Sequence, residues 1–301
     1  MVPVQLEAGF SYEDRISFNR RFHMNTGPVR FNPGQLNPDI VRPAGPIDPE
    51  VGIVLLKAAE GEKPIGAIAL HLDTVGGTKY SADFPKVVQD QLRRTHGPEF
   101  ISLFGAGTCG DINHVDVKTR DRYTTQEIGT MLTETVVKKM PSLTPLAEVS
   151  LAVSNRRVCV PLQTFNSKQI TQARERIELV DSDKLPFLER VEAYKILAIE
   201  LRDGEILPIE VQVFRLNSDV AIVTLPGEVF VELGLAIKQD SPFKTTLVIE
   251  LTNDGPGYIP TKKAFSEGSY ETVNSRVQPG SGEMMVEAAI QLLDKLAVDT
   301  E

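Results

Sequence analysis

Eight residues able to bind metal or move protons fall just beyond apolar runs of strand length. His71 and Asp73 close AIALHLDTVGG; Asp111, Asn113 and His114 close ISLFGAGTCGDINH; Glu228 closes VAIVTLPGEVF; Asp254 and Tyr258 close TLVIELTNDGPGY. Imidazoles grouped with carboxylates suit a divalent metal, and the same groups serve as acids and bases. Ligands of open α/β sheets bind in the crevice outside the carboxyl ends of the strands, so these clusters are expected to converge there. Each has a plainer reading by itself: a hydrogen-bonded structural His, a helix-start carboxylate at Glu228, a turn with Tyr258 packed on it. Their shared position at strand ends favours a site.

The local context sharpens each cluster. Gly76 and Gly77 follow His71 and allow close backbone approach. Gly105, Gly107 and Gly110 free the backbone before Asp111, and the N–H groups of such a loop make an anion nest or oxyanion hole. Their spacing is not that of a dinucleotide-binding GxGxxG loop.

The elements that must position these groups are mixed α and β. VGIVLLKA and Ile65 to Leu72 read as strands around the turn EGEKP, ADFPKVVQDQLRRTHG as a helix closed by Gly97, and ISLFGAG as the next strand. TTQEIGTMLTETVVKKM reads as a helix and EVSLAVSNRRVCVPL as two alternating strands. LPIEVQVFRLNSDVAIVTLP gives two strands around Asn217-Ser218-Asp219, EVFVELGLAIKQDSP a helix, TTLVIELTND a strand, and SGEMMVEAAIQLLDKLAVD an amphipathic closing helix. The expected fold class is α/β, with mixed sheets, helices packed on them and site residues at strand carboxyl ends. One domain over residues 1–301 is expected, with a helical, charge-rich cover at 166–204 and an irregular, Pro-, Gly- and Asn-rich segment at 1–50.

That first segment is too rich in aromatics and Arg for a solvated spacer. Ser17, Asn19, Arg20, Arg21, His23 and Arg42 are candidates to line a pocket. Arg20, Arg21, Arg42 and Arg276 are the guanidinium groups expected to read a carboxylate or phosphate of the substrate. The alternative for any one of them is that it ties a long loop to its own carbonyls.

Composition narrows the partners. Of 301 residues, 41% are hydrophobic and 24% charged, as in an ordinary globular protein, and the net charge is −9. The acidic balance and the absence of a clustered basic face argue against nucleic acid. No apolar stretch has the length of a membrane span, and MVPVQLEAGFSYEDR lacks the regions of a signal peptide. A soluble protein of open compartment is expected. Cys109 and Cys159 form no CxxC pair, and Cys109 reads as a small buried residue rather than a nucleophile.

The order HLDTVGG, SADFP, GTCGDINHVDV, LPGEVFVELG and NDGPGYIPT, together with SFNRRF and NPDIVRPAGPIDPEVG, resembles the neutral/alkaline, non-lysosomal ceramidase family in its shorter bacterial branch. The similarity runs over essentially the whole chain. The resemblance implies a zinc-dependent amidase-type hydrolase acting on a small-molecule or lipid-like, sphingolipid-type substrate, in a family whose members are often exported. It implies zinc bound by two His, a Glu and a Tyr, of which His71, Glu228 and Tyr258 match three.

Two departures accompany the resemblance. The family's first His lies in an upstream HTHSGP-like motif that these residues lack, and His23 stands in a different context. The expectation is therefore a chain without the family's N-terminal segment, with Met1 not the natural start. Asn113 occupies the place of the Ser in a GDxSPN-like motif that serves as proposed nucleophile in ceramide-cleaving members. Activated water is then the expected attacking group, with Asp111, His114 or Asp73 in proton transfer and Asn113 hydrogen-bonding the carbonyl or oxyanion. The competing readings are a non-catalytic ligand-binding protein on the same fold and a metal-dependent phosphoester hydrolase.

Overall fold

A computed structural model of the chain describes residues 3–60, 64–71, 80–179, 185–202 and 204–298, with backbone alone at 65 and 67–71. In chain order they form β1 (Val4–Tyr12), β2 (Phe18–Asn19), β3 (Arg21–Met24), β4 (Arg30–Phe31), β5 (Ile40–Pro43), β6 (Glu50–Ala58), β7 (Pro64–His71), α1 (Asp83–His96), β8 (Ile101–Ala106) and β9 (Ile112–Asn113). Next come α2 (Thr125–Lys139), β10 (Thr144–Pro145), β11 (Ala152–Pro161), α3 (Ser167–Ile177), α4 (Phe187–Glu200), β12 (Ile206–Arg215) and β13 (Val220–Thr224). The last part holds β14 (Glu228–Val229), α5 (Val231–Asp240), β15 (Thr245–Ile249), β16 (Tyr258–Ile259), α6 (Lys262–Glu267), α7 (Tyr270–Asn274) and α8 (Ser281–Val298).

Local chemistry sets the ends of these elements. α2 opens with a capping box, Thr124 accepting from the Glu127 N–H while Glu127 accepts from the Thr124 N–H, and Asn166 with Gln169 does the same for α3. Gly97 closes α1 at φ 107°, which only glycine adopts at little cost. The β12–β13 turn forms because the Asn217 side-chain oxygen accepts from the N–H groups of Asp219 and Val220, at 3.0 and 2.9 Å.

Two sheets carry the molecule, in the orders β10-β1-β6-β7-β8 and β11-β12-β13-β15. Ala8, Val54, Val220 and Leu247 pack between them. On the far side of the first sheet, Val51, Ile53 and Leu55 meet Phe84, Val88 and Leu92 of α1 and Ile128, Leu132 and Val136 of α2. On the far side of the second, Val158, Val211 and Val223 meet Met285, Ala289 and Leu293 of α8. The layers therefore run helix, sheet, sheet, helix. Fully burying one such Val, Leu, Ile or Phe contributes about 1.5–3 kcal/mol.

Two sequence expectations change here. Val4–Tyr12 is a strand inside the first sheet, paired residue by residue with β6, although the first fifty residues read as irregular. Its apolar residues do alternate, but glycine and polar neighbours dilute the pattern. The stretch read as two strands is the single strand β11, in register with β12 from Ala152↔Arg215 to Pro161↔Ile206. Asn155, Arg156 and Arg157 look like a turn in the sequence; they are exposed residues of a strand at the sheet's edge.

β7 and β8 are parallel, as are β13 and β15, and the helices α1 and α5 lie in the respective connections. All four strands end in the clusters described above. The ends are joined by the Glu250 N–H, which donates to the Ala106 carbonyl at 2.8 Å and so ties β15 to β8. The Glu250 side chain, 2% exposed, accepts from the Val229 N–H at 2.6 Å and contacts the Cys109 thiol at 3.1 Å. One acid thus stitches β8, β14 and β15 together.

Burial holds the Glu250 carboxyl well above the ordinary carboxylate range, against the lowering effect of its hydrogen bonds from Cys109 and Val229. A raised value means that its contribution to stability is present at low pH and is lost as the pH rises through that value. Glu250→Ala is expected to cost about 2–4 kcal/mol of unfolding free energy, because two buried partners are orphaned and a cavity opens. Glu250→Gln should keep most of the stability and remove its decline with rising pH. Urea unfolding of the three proteins at acidic and alkaline pH checks both outcomes.

Candidate active site

Glu228 and Tyr258 are paired in β14 and β16, two short parallel strands at the carboxyl edge of the sheets. Glycine makes the approach possible: Gly227 has φ 88°, and a Cβ there would lie 2.7 Å from the Gly257 carbonyl oxygen. A side chain at Gly110 would likewise strike the Glu228 backbone, and the Gly110 N–H donates to the Val229 carbonyl at 2.9 Å.

The Tyr258 phenol lies within electrostatic reach of both Glu228 and Arg20. Burial pushes the phenol well above its ordinary pKa, opposed by Arg20 and reinforced by Glu228, so at neutral pH the phenol keeps its proton. The Arg20 guanidinium lies 5.3 Å from the Tyr258 ring centre and 5.8 Å from that of Tyr270. Its Nε donates to the fully buried Glu271 at 2.7 Å and its Nη2 to the Gly110 carbonyl at 3.0 Å. Arg20 is therefore a fixed positive charge beside the Glu228–Tyr258 pair.

The carboxylate at the start of α5 is Asp111, not Glu228. Asp111, 1% exposed, accepts from the Val231 N–H at 2.9 Å and from Asn19 Nδ2 at 2.7 Å. A residue from another loop thus meets the free N–H of the helix start, and the side chain of Glu228 faces Tyr258 instead.

A cavity of about 320 Å³ opens beside this group, lined by Arg20, Asn32, Asn113, His114 and Arg122 among others. Asn113 donates to the Asn32 side chain at 2.7 Å and accepts from the Val115 N–H at 3.0 Å. An amide nitrogen has two N–H donors, so one remains beyond that bond. Burial, with Arg122 adding to it, lowers the His114 pKa, while Asp83 raises it. The imidazole is neutral at physiological pH, and its buried Nδ1 has no hydrogen-bond partner among the described residues.

The other sequence candidates fall as follows. His71 ends β7 in register with Ala106, the residue whose carbonyl holds Glu250, and its side chain lies outside the described residues. Asp73 lies outside them altogether. Arg21 is buried and spent on the Gly268 carbonyl, Glu267 and Glu271. Arg42 and Arg276 are exposed and line none of the cavities described. Asp254 is an exposed turn residue accepting from the Gly255 N–H.

The donor set tests the metal that the resemblance implies. Among the described residues no group of three or more His, Cys, Asp or Glu is placed to hold an ion. The adjacent carboxylate and phenol are donor types of a nitrogen–oxygen zinc shell, and the backbone of His71 ends β7 at the joined strand ends.

Sequence reading missed Glu250, Glu271 and Asn32. Glu250 left a signal, an acid inside the apolar run TLVIEL where a strand buried on both faces calls for none. Glu271 and Asn32 left none, since each works through partners remote in the chain.

No family model matches the sequence, and no curated protein matches it. Among solved structures, the neutral ceramidase from Pseudomonas aeruginosa matches with a TM-score of 0.68 at 16% identity, over 98% of this chain and 53% of that one. A ceramidase complexed with C2 matches with a TM-score of 0.68 at 14% identity, over 99% and 54%. In fold, this chain is similar to the neutral ceramidases. It spans about half the length of these neighbours.

Burial raises the Asp111 carboxyl from the ordinary 3.8 to about 6, against the hydrogen bonds of Val231 and Asn19. Its stabilising contribution is full below the unfolded value and is lost as the pH rises through about 6. A shift of this size corresponds to about 3 kcal/mol. Wild type is expected to lose that much more stability than Asp111→Asn between acidic and neutral pH, measured by chemical unfolding.

Proposed function

We propose that the chain is the catalytic unit of a zinc-dependent hydrolase that cleaves an amide bond of an N-acyl substrate. The observation that carries the proposal is the Glu228–Tyr258 pair, set beside Arg20 at the edge where the strand ends are tied together. The fold shared with neutral ceramidases supports the reaction class. Residues 1–301 would act as one domain, and the α3–α4 segment covers the site's flank: Phe187 of α4 stacks on Tyr270, with ring centres 5.6 Å apart.

His71, Glu228 and Tyr258 would hold the zinc. When bound, zinc supplies a Lewis acid at the carbonyl and acidifies water toward pKa about 7. The protein's own groups do the rest. The neutral His114 imidazole accepts the proton of the attacking water and returns it to the departing nitrogen. Asn113 donates its remaining N–H toward the carbonyl oxygen as negative charge develops there, and Arg20 stabilises that charge from beside Tyr258. Glu271 keeps Arg20 in place.

Glu228→Gln and His71→Ala are each expected to lower bound zinc to a small fraction of the wild-type stoichiometry and to abolish hydrolysis of the N-acyl substrate. His114→Ala should keep its zinc and lose about 10²–10⁴ in kcat. Metal content by mass spectrometry and a fluorescent-amide assay read both outcomes. Undiminished zinc in both ligand variants contradicts the assignment.

A further inference from the structure

His114 and Arg122 form a shared wall between the 320 Å³ cavity and a second, larger cleft of about 680 Å³. That volume is within the roughly 300–1,000 Å³ range of small-molecule clefts. Its lining differs from a lipid groove. Four carboxylates, Asp14, Asp116, Asp121 and Glu127, face two guanidinium groups, Arg15 and Arg122. Arg15 is already paired with Glu13, its Nε donating at 2.7 Å, so the cleft carries an excess of negative charge. Phe18 and Tyr123 are its aromatic walls.

An alkyl chain laid in this cleft would strip water from carboxylates and return no hydrogen bond, which is unfavourable. A ligand with several hydroxyl groups returns those bonds, and its apolar ring face packs on an aromatic side chain. The reaction also fixes a charge. In amide hydrolysis the acyl carbon gains the oxygen of water, the C–N bond breaks and both protons of water end on nitrogen, leaving a carboxylate and an ammonium. The acidic cleft complements the ammonium.

We infer that the amine half of the scissile amide is a polyhydroxylated amine of the hexosamine class, seated in the cleft between His114 and Tyr123. The inference rests on the amide-hydrolase reading for its reaction and on the cleft's lining for its ligand. Asp116 and Asp121, each with one oxygen already accepting from its own loop, from the Lys118 N–H and from Thr119 Oγ1, offer their other oxygens to its hydroxyl groups, and Tyr123 stacks on its ring.

Two measurements on the zinc-loaded chain test it. In the first, kcat/KM is compared for an N-acyl hexosamine and for N-acylsphingosine; the hexosamine amide should be preferred by roughly tenfold or more. The Asp116→Asn, Asp121→Asn double variant should erase most of that preference with unchanged thermal unfolding. Equal or better hydrolysis of N-acylsphingosine overturns the inference and leaves the hydrolase reading standing. In the second, free glucosamine is titrated by calorimetry into wild type and Tyr123→Ala. Saturable binding that the variant loses supports the ligand class even if neither amide is cleaved, in which case the hydrolase reading fails alone. No binding of glucosamine overturns the inference.

Discussion

The site depends on one buried acid. Glu250 uses its N–H to hold the end of β8 and its carboxyl to hold the Val229 N–H beside β14, and it contacts the thiol that follows β8. Through β8 it is linked to the end of β7, and through β14 to β16. Without such a tie two sheets packed by apolar contacts alone would leave their ends free to shift, because hydrophobic packing is not directional. Hydrogen bonds are directional, and a buried carboxyl with its partners satisfied fixes position.

A second division of labour keeps Glu228 on Tyr258. The start of α5 attracts a carboxylate, and Glu228 lies just before it in sequence. Asp111, reaching in from the loop after β8, fills that role. The same loop gives its Gly110 carbonyl to Arg20, so one stretch of chain places the helix-start acid and fixes the cation beside the phenol. Glu271 completes the arrangement by pairing with both Arg20 and Arg21, and Glu267 adds a second carboxylate on Arg21, which lets two guanidinium groups sit side by side in the interior.

Much of this was legible from the chain. The helices α1, α2, α5 and α8 and most strands follow from apolar spacing, and the placement of the clusters at the ends of β7, β8, β13 and β15 follows from the crossover rule for parallel strands. What escaped was what depends on distant partners. β1 gave only a diluted sign, the alternation of Val4, Leu6, Ala8, Phe10 and Tyr12, and its pairing with β6 and β10 is what places it in the sheet. Arg20 and Arg21 are neighbours of the same type, and only the fold separates one that faces Tyr258 from one spent on the carbonyls and carboxylates of α6 and α7. Asp111 looked like a proton-transfer group by its type and its loop; its burial against α5 gives it structural work.

The most direct measurement is the X-ray absorption spectrum of the zinc-loaded protein at the zinc edge. The expected result is a shell of nitrogen and oxygen neighbours at about 2.0–2.2 Å, with the multiple-scattering signature of imidazole that His71→Ala removes. A sulfur neighbour at about 2.3 Å, which would place Cys109 or Cys159 on the metal, or an imidazole signature unchanged in His71→Ala, would contradict the convergence of His71, Glu228 and Tyr258.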